Sequence, residues 1–316
     1  MKTYIPERKE YSSYLDLPKR QYFGDLVKYP KPDGLRNTNG WFEVREMPGL
    51  GVYAVAEPYH EQNGCFYVVL GDDRALVFDT GLGIYEPRPL VEELAGGREL
   101  ILVNSHFHFD HTGGNHFFGL TAHIHADELV RRVASNGLHT EVISEQVRDE
   151  AFPMGVPEGF DQGAYGTEAF EFEDVAEGQI FDLGGRQLEV MFAPGHSPDG
   201  IVLIDEANDL VLAGDTFYLG ALYGQFASEE FGYSDMEAYR VTMHRLAARV
   251  NDETKVLCCH NEFTADGAKI KQAAELFDQI LDGRVYGGER EDGGLSYGEE
   301  GEVLQVFGDG FSVMYV

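Results

Sequence analysis

The sequence has few cysteines, few basic residues and no long apolar run. Its three cysteines, Cys65, Cys258 and Cys259, are odd in number and too few for the disulfide framework of a secreted protein, which indicates a reducing compartment. The longest apolar run, Cys65 to Leu70, has six residues, whereas a membrane-spanning helix needs about 20. The first 20 residues carry eight charged side chains, which leaves no room for the apolar segment of a secretion signal. We therefore expect a cytoplasmic protein that does not enter a membrane.

Basic side chains are scarce relative to acidic ones. The chain has 24 Lys and Arg against 55 Asp and Glu, which gives a formal net charge of −31. A field of this sign repels the phosphates of nucleic acids and the headgroups of anionic lipids. We therefore expect neither nucleic acid nor membrane as a partner, and a small molecule as the substrate.

Two parts of the chain differ in composition. Residues 1–40 interleave tyrosines with prolines and charges, which predicts an N-terminal arm that covers either a partner subunit in a homodimer or the entrance of the site. From Trp41 onward, short apolar runs bounded by glycine alternate with segments of helical periodicity. We expect a single domain of layered α/β architecture over residues 41–316.

Strands and helices are predicted to alternate along this domain. Apolar runs with the length and residue types of buried strands occur at 52–56, 66–70, 75–78 and 100–103. Hairpins are predicted at 179–192, 201–213 and 303–316. Helices are predicted after Pro87, from a capping box formed by Ser234 and Glu237, and over 266–281.

The strongest chemical signal is the sequence N-S-H-F-H-F-D-H at residues 104–111. Six of the eleven histidines lie within residues 106–125. Imidazole and carboxylate are the ligands that Zn²⁺ and its first-row neighbours prefer. Because the motif follows a predicted strand, it lies on a loop at the carboxyl end of that strand, where α/β proteins place their sites. His106 and His108 can converge on one ion, while Asp110 and His111 reach a second.

Further ligands are predicted where later strands end in turns of small residues. His196 lies in the turn A-P-G-H-S-P, and His260 follows the apolar run that ends in Cys258-Cys259. Asp215 ends another buried run, where an unpaired carboxylate would be costly unless it met a cation. Asp79 ends a neighbouring strand and is the candidate to orient the imidazoles. Cys259, beside His260, is either a small buried packing residue, which is the favoured interpretation, or a side chain that touches the site.

With these motifs in this order, the sequence resembles the metallo-β-lactamase superfamily. The H-x-H-x-D-H signature of that family matches residues 106–111, and its strand ending in D-T-G matches residues 76–81. The resemblance implies a four-layered αββα sandwich with two divalent metal ions between its two sheets. It implies that one metal is bound by His106, His108 and His196, that the other is bound by Asp110, His111 and His260, and that Asp215 bridges them. Zinc is the expected metal, with iron and manganese as alternatives.

Within this superfamily the motifs are most similar to those of acyl-homoserine lactonases. Their S-H-x-H-F-D-H-x-G-G-N pattern is met by residues 105–115 and their P-G-H-S-P by residues 194–198. The resemblance implies that Tyr218, three residues after Asp215, contacts the substrate carbonyl. β-Lactamases are disfavoured because they have cysteine or serine in place of Asp215. Glyoxalase II, a thioesterase, is a weaker match because residues 261–266 show no basic groups to grip glutathione.

The sequence therefore predicts a binuclear metal-dependent hydrolase that attacks an ester or lactone with a metal-bridging hydroxide. Tyr218 would hold the oxyanion and Asp110 would pass a proton to the leaving group. Hydrolysis of a phosphodiester or a thioester on the same fold is the alternative. A mononuclear iron dioxygenase and a non-catalytic metal-binding protein are further alternatives.

Overall fold

The computed structural model describes residues 41–224, 227–286, 288–289 and 304–315. The predicted arm at residues 1–40 lies outside the described residues. Among the helices in the described part of the chain, none has both the length and the apolar composition needed to cross a membrane.

Strands β1 to β7 form a seven-stranded sheet in the order of the sequence. They are Glu43–Met47 (β1), Val52–Ala56 (β2), Cys65–Leu70 (β3), Arg74–Phe78 (β4), Glu99–Val103 (β5), Ala122–Ile124 (β6) and Phe172–Asp174 (β7). The first four pair antiparallel, and β4 to β7 pair parallel. Because β4 and β5 run in register from Arg74 opposite Glu99, they end together at Phe78 and Val103.

A second sheet of six strands has the order β16-β15-β11-β10-β9-β8. Its strands are Ile180–Asp182 (β8), Gln187–Phe192 (β9), Ile201–Asp205 (β10), Leu210–Leu212 (β11), Lys255–Leu257 (β15) and Thr264–Asp266 (β16). The two predicted hairpins are present as the antiparallel pairs β8-β9 and β10-β11. Because β11 pairs parallel with β15 and both flanking pairs of β10 are antiparallel, β9, β11 and β15 end at the same edge.

Two smaller sheets complete the strands of the described chain. A four-stranded sheet contains Ala221–Tyr223 (β12), Gly288–Glu289 (β17), Leu304–Phe307 (β18) and Ser312–Tyr315 (β19). The predicted C-terminal hairpin is the pair β18-β19, and β19 also pairs parallel with β12, an association that the sequence did not indicate. A two-stranded ribbon joins Ala227–Ser228 (β13) to Gly232–Tyr233 (β14).

Seven α-helices connect these strands in the described residues. They are Arg88–Ala95 (α1), Phe109–Thr112 (α2), Asn115–Phe118 (α3), Glu128–Asn136 (α4), Thr140–Ile143 (α5), Met236–Ala247 (α6) and Gly267–Leu281 (α7). The prediction that Ser234 caps α6 is wrong by one residue. Asp235 is the cap, because its carboxylate accepts a hydrogen bond of 2.8 Å from the backbone N–H of Ala238.

The sheets and helices form four layers, which confirms the predicted αββα sandwich. Side chains alternate along β3, so that Tyr67 and Val69 pack between the two large sheets while Val68 packs on the outer side of the first sheet. Helix α1 covers that outer side. Helices α6 and α7 cover the outer side of the second sheet, where the Tyr239 and Phe277 rings lie 4.5 Å apart.

Candidate metal centre

The candidate site lies where strands of both large sheets end. The loop after β5 carries four of the predicted ligands, and the turns after β9, β11 and β15 carry one each. The structure brings together all seven side chains that the sequence singled out as ligands: His106, His108, Asp110, His111, His196, Asp215 and His260. The shared edge of parallel-running strands therefore assembles groups that are far apart in the chain.

Two glycines permit this close assembly. Gly214 has φ of +50°, and a Cβ there would meet the Ser105 Cβ at 2.5 Å. Gly195 has φ of +153°, and a Cβ there would meet Tyr239 at 2.5 Å. Larger residues would push the Asp215 turn away from the loop after β5, and the His196 turn away from α6.

The first cluster consists of three imidazoles and one carboxylate oxygen. His108 Nδ1 lies 2.9 Å from His106 Nε2 and 3.2 Å from His196 Nε2. The Oδ2 atom of Asp215 lies 3.2 Å from His196 Nε2. The donor atoms of all four residues lie within 4.8 Å of one another, so that one ion could contact them together.

The second cluster faces the other oxygen of Asp215. Its Oδ1 atom lies 3.2 Å from His111 Nε2 and 3.0 Å from His260 Nε2. Asp110 Oδ2 lies 3.5 Å from His260 Nε2 and 3.6 Å from His111 Nε2. Asp215 is thus placed between the two clusters, one oxygen toward each, which is the arrangement a bridging ligand requires.

Backbone carbonyls hold two of the imidazoles from outside the clusters. His108 Nε2 donates to the carbonyl of Phe231 at 2.9 Å, and His260 Nδ1 donates to the carbonyl of Gln62 at 2.7 Å. Because a carbonyl oxygen can only accept, the ring proton lies on the outer nitrogen in both cases. The inner nitrogens, His108 Nδ1 and His260 Nε2, are therefore the ones that face the clusters and can bind a metal.

Asp79 orients His111, as the sequence predicts. Its Oδ2 atom lies 2.9 Å from His111 Nδ1 and accepts from Ser105 Oγ at 2.8 Å, while Oδ1 accepts from the Ser105 N–H at 2.7 Å. Asp79 has φ of +69°, a conformation that costs energy for a residue with a side chain. The carboxylate thereby ties the end of β4 to the first residues of the metal-ligand loop.

The two clusters differ in their electrostatics. Burial lowers the pKa of His106 well below its ordinary value and lowers the pKa of His196 to about 3. Burial also acts on His111, but the carboxylates of Asp110, Asp215 and Asp79 outweigh it and raise its pKa well above the ordinary value. The first cluster is therefore neutral imidazole, and the second lies in the field of several carboxylates.

The residues present fit a pair of divalent cations. His111 Nε2 is buried and makes no hydrogen bond of acceptable geometry, although it points into the space beside Asp215. Burial opposes ionisation of Asp215, yet the imidazoles of His260 and His111 hold its carboxyl pKa well below its usual range. An ionised buried carboxylate among nitrogen donors is the ligand chemistry that first-row divalent metals prefer.

Cys259 contacts the site, which the sequence analysis gave as the less favoured of two interpretations. Its Sγ atom lies 2.8 Å from Asp215 Oδ1. The side chain is buried, as expected, and it also contacts the carboxylate between the two clusters. Its position directly before His260 was the signal for this contact.

Three contributors to the site were missed by the sequence analysis. Asp199 Oδ2 accepts a hydrogen bond of 2.8 Å from the backbone N–H of Phe107, which joins the His196 turn to the loop after β5. The carbonyls of Phe231 and Gln62 act through the backbone, so their residue types gave no signal.

Tyr218 lies beside the second cluster, with its ring 5.0 Å from that of His260. Its hydroxyl donates to the backbone carbonyl of Ala221 at 2.6 Å. Contact with a substrate carbonyl would require this hydrogen bond to break, and the catalytic role of Tyr218 stays a prediction.

Comparison with known proteins places the chain among metal-dependent hydrolases. A sequence profile described as the metallo-beta-lactamase superfamily matches residues 61–259. The acyl-coenzyme A thioesterase MBLAC2 of Bos taurus is 30% identical over 230 residues, which cover 67% of this chain and 77% of that protein. The same thioesterase of Homo sapiens is 29% identical over 227 residues, with the same shares covered. A probable metallo-hydrolase of Bacillus subtilis is 23% identical over 63% of this chain and 85% of its own length.

Solved structures agree with this fold. A metallo-beta-lactamase family protein from Thermus thermophilus superposes with a TM-score of 0.51 at 18% identity, covering 74% of this chain and 81% of its own. The metallo-beta-lactamase DIM-1 superposes with a TM-score of 0.50 at 14% identity, covering 76% of this chain and 97% of its own. At these identities the likeness concerns the fold alone.

Proposed function

The chain belongs to the metallo-β-lactamase superfamily, and within that superfamily we propose that it is a metal-dependent hydrolase of acyl thioesters. The observation that carries the hydrolase assignment is the pair of buried donor clusters that share Asp215. The thioester class is supported by relatives named as acyl-coenzyme A thioesterases, which favour this alternative over the lactone or ester expected from the motifs.

The proposed function requires ligands for two divalent cations, and the two clusters would supply them. The nitrogens of His106, His108 and His196 would hold one, and those of His111 and His260 the other. Asp215 would contact both, and Asp110 would join the second. When bound, such cations lower the pKa of a bound water toward neutrality and polarise the carbonyl of the substrate.

The chain itself supplies orientation and a carboxyl group for proton transfer. The outer hydrogen bonds to Phe231, Gln62 and Asp79 hold the imidazole rings in place before any substrate arrives. Asp110 lies at the edge of the second cluster, where Oδ2 can take a proton from the attacking water and return it to the leaving group.

Hydrolysis of a thioester depends less on protonation of the leaving group than hydrolysis of a lactone does. A thiol leaving group has a pKa of about 8.5, whereas an alkoxide is nearly as basic as hydroxide, with water at about 15.7. A thiolate therefore departs at neutral pH with little help from a general acid. Thioester hydrolysis is accordingly compatible with a Tyr218 hydroxyl that stays on Ala221.

The net negative charge of the chain should raise KM for negatively charged thioesters relative to uncharged ones. A net charge of −31 repels the phosphates of an acyl-coenzyme A, and screening shortens the range of that repulsion to about 10 Å at 0.1 M salt. We expect added KCl to lower KM for acyl-coenzyme A. KM for the uncharged S-acyl-N-acetylcysteamine with the same acyl chain should change much less.

The proposal is tested by assaying one zinc-loaded preparation against four substrates. These are an acyl-coenzyme A, the matching S-acyl-N-acetylcysteamine, an acyl-homoserine lactone and bis-p-nitrophenyl phosphate. We expect the highest kcat/KM for one of the two thioesters, with release of the free thiol. A higher kcat/KM for the lactone or for the phosphodiester would overturn the thioester proposal. Parallel assays of Asp215→Ala identify any activity that comes from a contaminant.

A further inference from the structure

We propose that Cys259 supplies a sulfur ligand to the second metal position, which makes that position chemically softer than the first. This inference rests on the metal-binding part of the proposed function and is independent of the substrate. The predicted ligand set, which came from the family resemblance, contains no sulfur.

The position of the sulfur carries the proposal. Cys259 Sγ lies 2.8 Å from Asp215 Oδ1, the same oxygen that faces His111 Nε2 at 3.2 Å and His260 Nε2 at 3.0 Å. The donor atoms of these four residues all lie within 4.8 Å of one another, and all four side chains are buried. One ion placed among the nitrogens and Oδ1 would therefore have a sulfur as a close neighbour.

An independent observation also indicates a ligand in this space. His111 Nε2 is buried, with 2% of the side chain exposed, and it makes no hydrogen bond of acceptable geometry. Asp79 holds the opposite nitrogen of the ring, so Nε2 is directed at the space shared by Asp215 and Cys259. A buried nitrogen without a well-aligned hydrogen bond costs free energy that a metal ion would recover.

The other two cysteines provide an internal contrast. Cys258 Sγ lies 3.7 Å from the backbone carbonyl of Val256, and Cys65 Sγ donates to the carbonyl of Cys258 at 3.1 Å. Cys258 is thus directed at the backbone of its own strand, whereas Cys259 is directed at Asp215. Only Cys259 among the three belongs to a donor cluster in the described chain.

The two positions would then select metals differently. The first offers three imidazole nitrogens and a carboxylate. The second offers two imidazole nitrogens, carboxylate oxygens and a thiolate, and the thiolate favours zinc over manganese. Binding replaces the S–H bond by a metal–sulfur bond. The thiol proton, which is now donated to Asp215, leaves to solvent, so one proton is released for each sulfur that binds.

Cobalt substitution tests the proposal without an activity assay. The wild-type protein loaded with Co²⁺ should show the near-ultraviolet charge-transfer band of a thiolate–cobalt bond. We expect Cys258→Ala, the matched control, to retain the band and Cys259→Ser to lose it. Absence of the band from the wild-type protein, or its persistence in Cys259→Ser, would overturn the proposal.

X-ray absorption of the zinc-loaded wild-type protein is a second measurement that needs no variant. We expect a sulfur neighbour at about 2.3 Å, with an average of about half a sulfur per zinc ion because only one of the two ions would bind it. Two bound zinc ions with only nitrogen and oxygen neighbours would refute sulfur ligation while leaving the proposed hydrolase intact. Failure to bind any metal would refute both proposals.

Discussion

The two donor clusters share one carboxylate but are built from different chemistry. The first contains three imidazoles, with His108 Nδ1 2.9 Å from His106 Nε2 and 3.2 Å from His196 Nε2, and burial keeps them neutral. The second combines two imidazoles with the carboxylate of Asp110 and the thiol of Cys259, and Asp79 supports it from behind. The two clusters therefore differ in their charge and in the polarisability of their donor atoms.

The two clusters also depend on different parts of the fold. The carbonyl that holds His108 belongs to Phe231, in the turn of the small β13-β14 ribbon. The groups that hold the second cluster are Asp79 at the end of a central strand and Gln62 in the turn before β3. The orientation of His108 in the first cluster therefore depends on the small β13-β14 ribbon. The orientation of the second cluster depends on residues at the ends of strands of the first large sheet.

Asp215 contacts both clusters, so its loss should abolish metal binding at both positions and with it the difference between them. Asp215→Ala takes an oxygen from each cluster, so we expect neither position to retain its metal through purification. Activity should fall by about 10³-fold or more, because metal ions contribute several kcal/mol of transition-state stabilisation. Elemental analysis and kcat/KM on the best thioester measure both effects. A variant that kept two metals and wild-type activity would exclude Asp215 as the shared ligand.

Asp79→Asn should increase the difference between the two positions, because we expect it to lower the metal affinity of the second position only. The amide would place an N–H group where His111 and Ser105 now find a carboxylate, so His111 would lose its orienting partner. We expect the affinity of the second position to fall about 10- to 100-fold, with the first unchanged. Competition with a chromophoric chelator resolves the two affinities.

The exposed Asp252 provides the control for this experiment, because Asp252→Asn changes the net charge equally at a distance from the site. Equal weakening of both positions in Asp79→Asn would show that the carboxylate supports the whole loop rather than one cluster.

The buried ring of His60, in the loop before β3, should make the free energy of unfolding depend on pH. The ring is buried, donates from Nε2 to the carbonyl of Gln146 at 2.7 Å and accepts the Gln62 N–H at Nδ1. Burial lowers its pKa from 6.5 to about 4. Between these values the unfolded chain binds a proton that the folded chain does not, so this contribution to stability is complete above pH 6.5 and is lost as the pH falls toward 4.

We expect His60→Gln to reduce the pH slope of the free energy of unfolding by one proton, about 1.4 kcal/mol per pH unit, between pH 6.5 and 4. Urea unfolding of the metal-free protein at several pH values measures this slope. His244→Gln, at an exposed histidine, is the control. An unchanged slope in His60→Gln would mean that His60 does not titrate in this range.

Tyr218→Phe should have the smallest effect. It removes the hydrogen bond to Ala221 and leaves a buried carbonyl, which costs about 1 kcal/mol of stability, while kcat on a thioester stays within about twofold. Thermal unfolding and steady-state kinetics measure the two effects. If kcat instead fell by about 10²- to 10³-fold, the hydroxyl would be an oxyanion donor, as the lactonase resemblance implies.

Much of the fold was predictable because its signals are local. The strand at 52–56 and the helix after Asp266 agree with the structure, since runs of apolar residues and helical periodicity reflect burial directly. The cap of α6 was misplaced by one residue because Ser234 and Asp235 are both good caps, and only the backbone geometry distinguishes them. The pairing of β12 with β19 joins segments about 90 residues apart, for which no local pattern exists.

The amino-acid sequence by itself singled out the histidines and aspartates that the structure brings together, because these residue types recur where predicted strands end. It also determined that the ends of several strands would supply them. Only the tertiary structure decided which nitrogen of each ring faces inward, since that depends on carbonyls such as those of Phe231 and Gln62, whose hydrogen bonds are independent of residue type. It likewise decided that Cys259 rather than Cys258 meets Asp215, because the direction of a side chain at a strand end follows from how the two sheets pack.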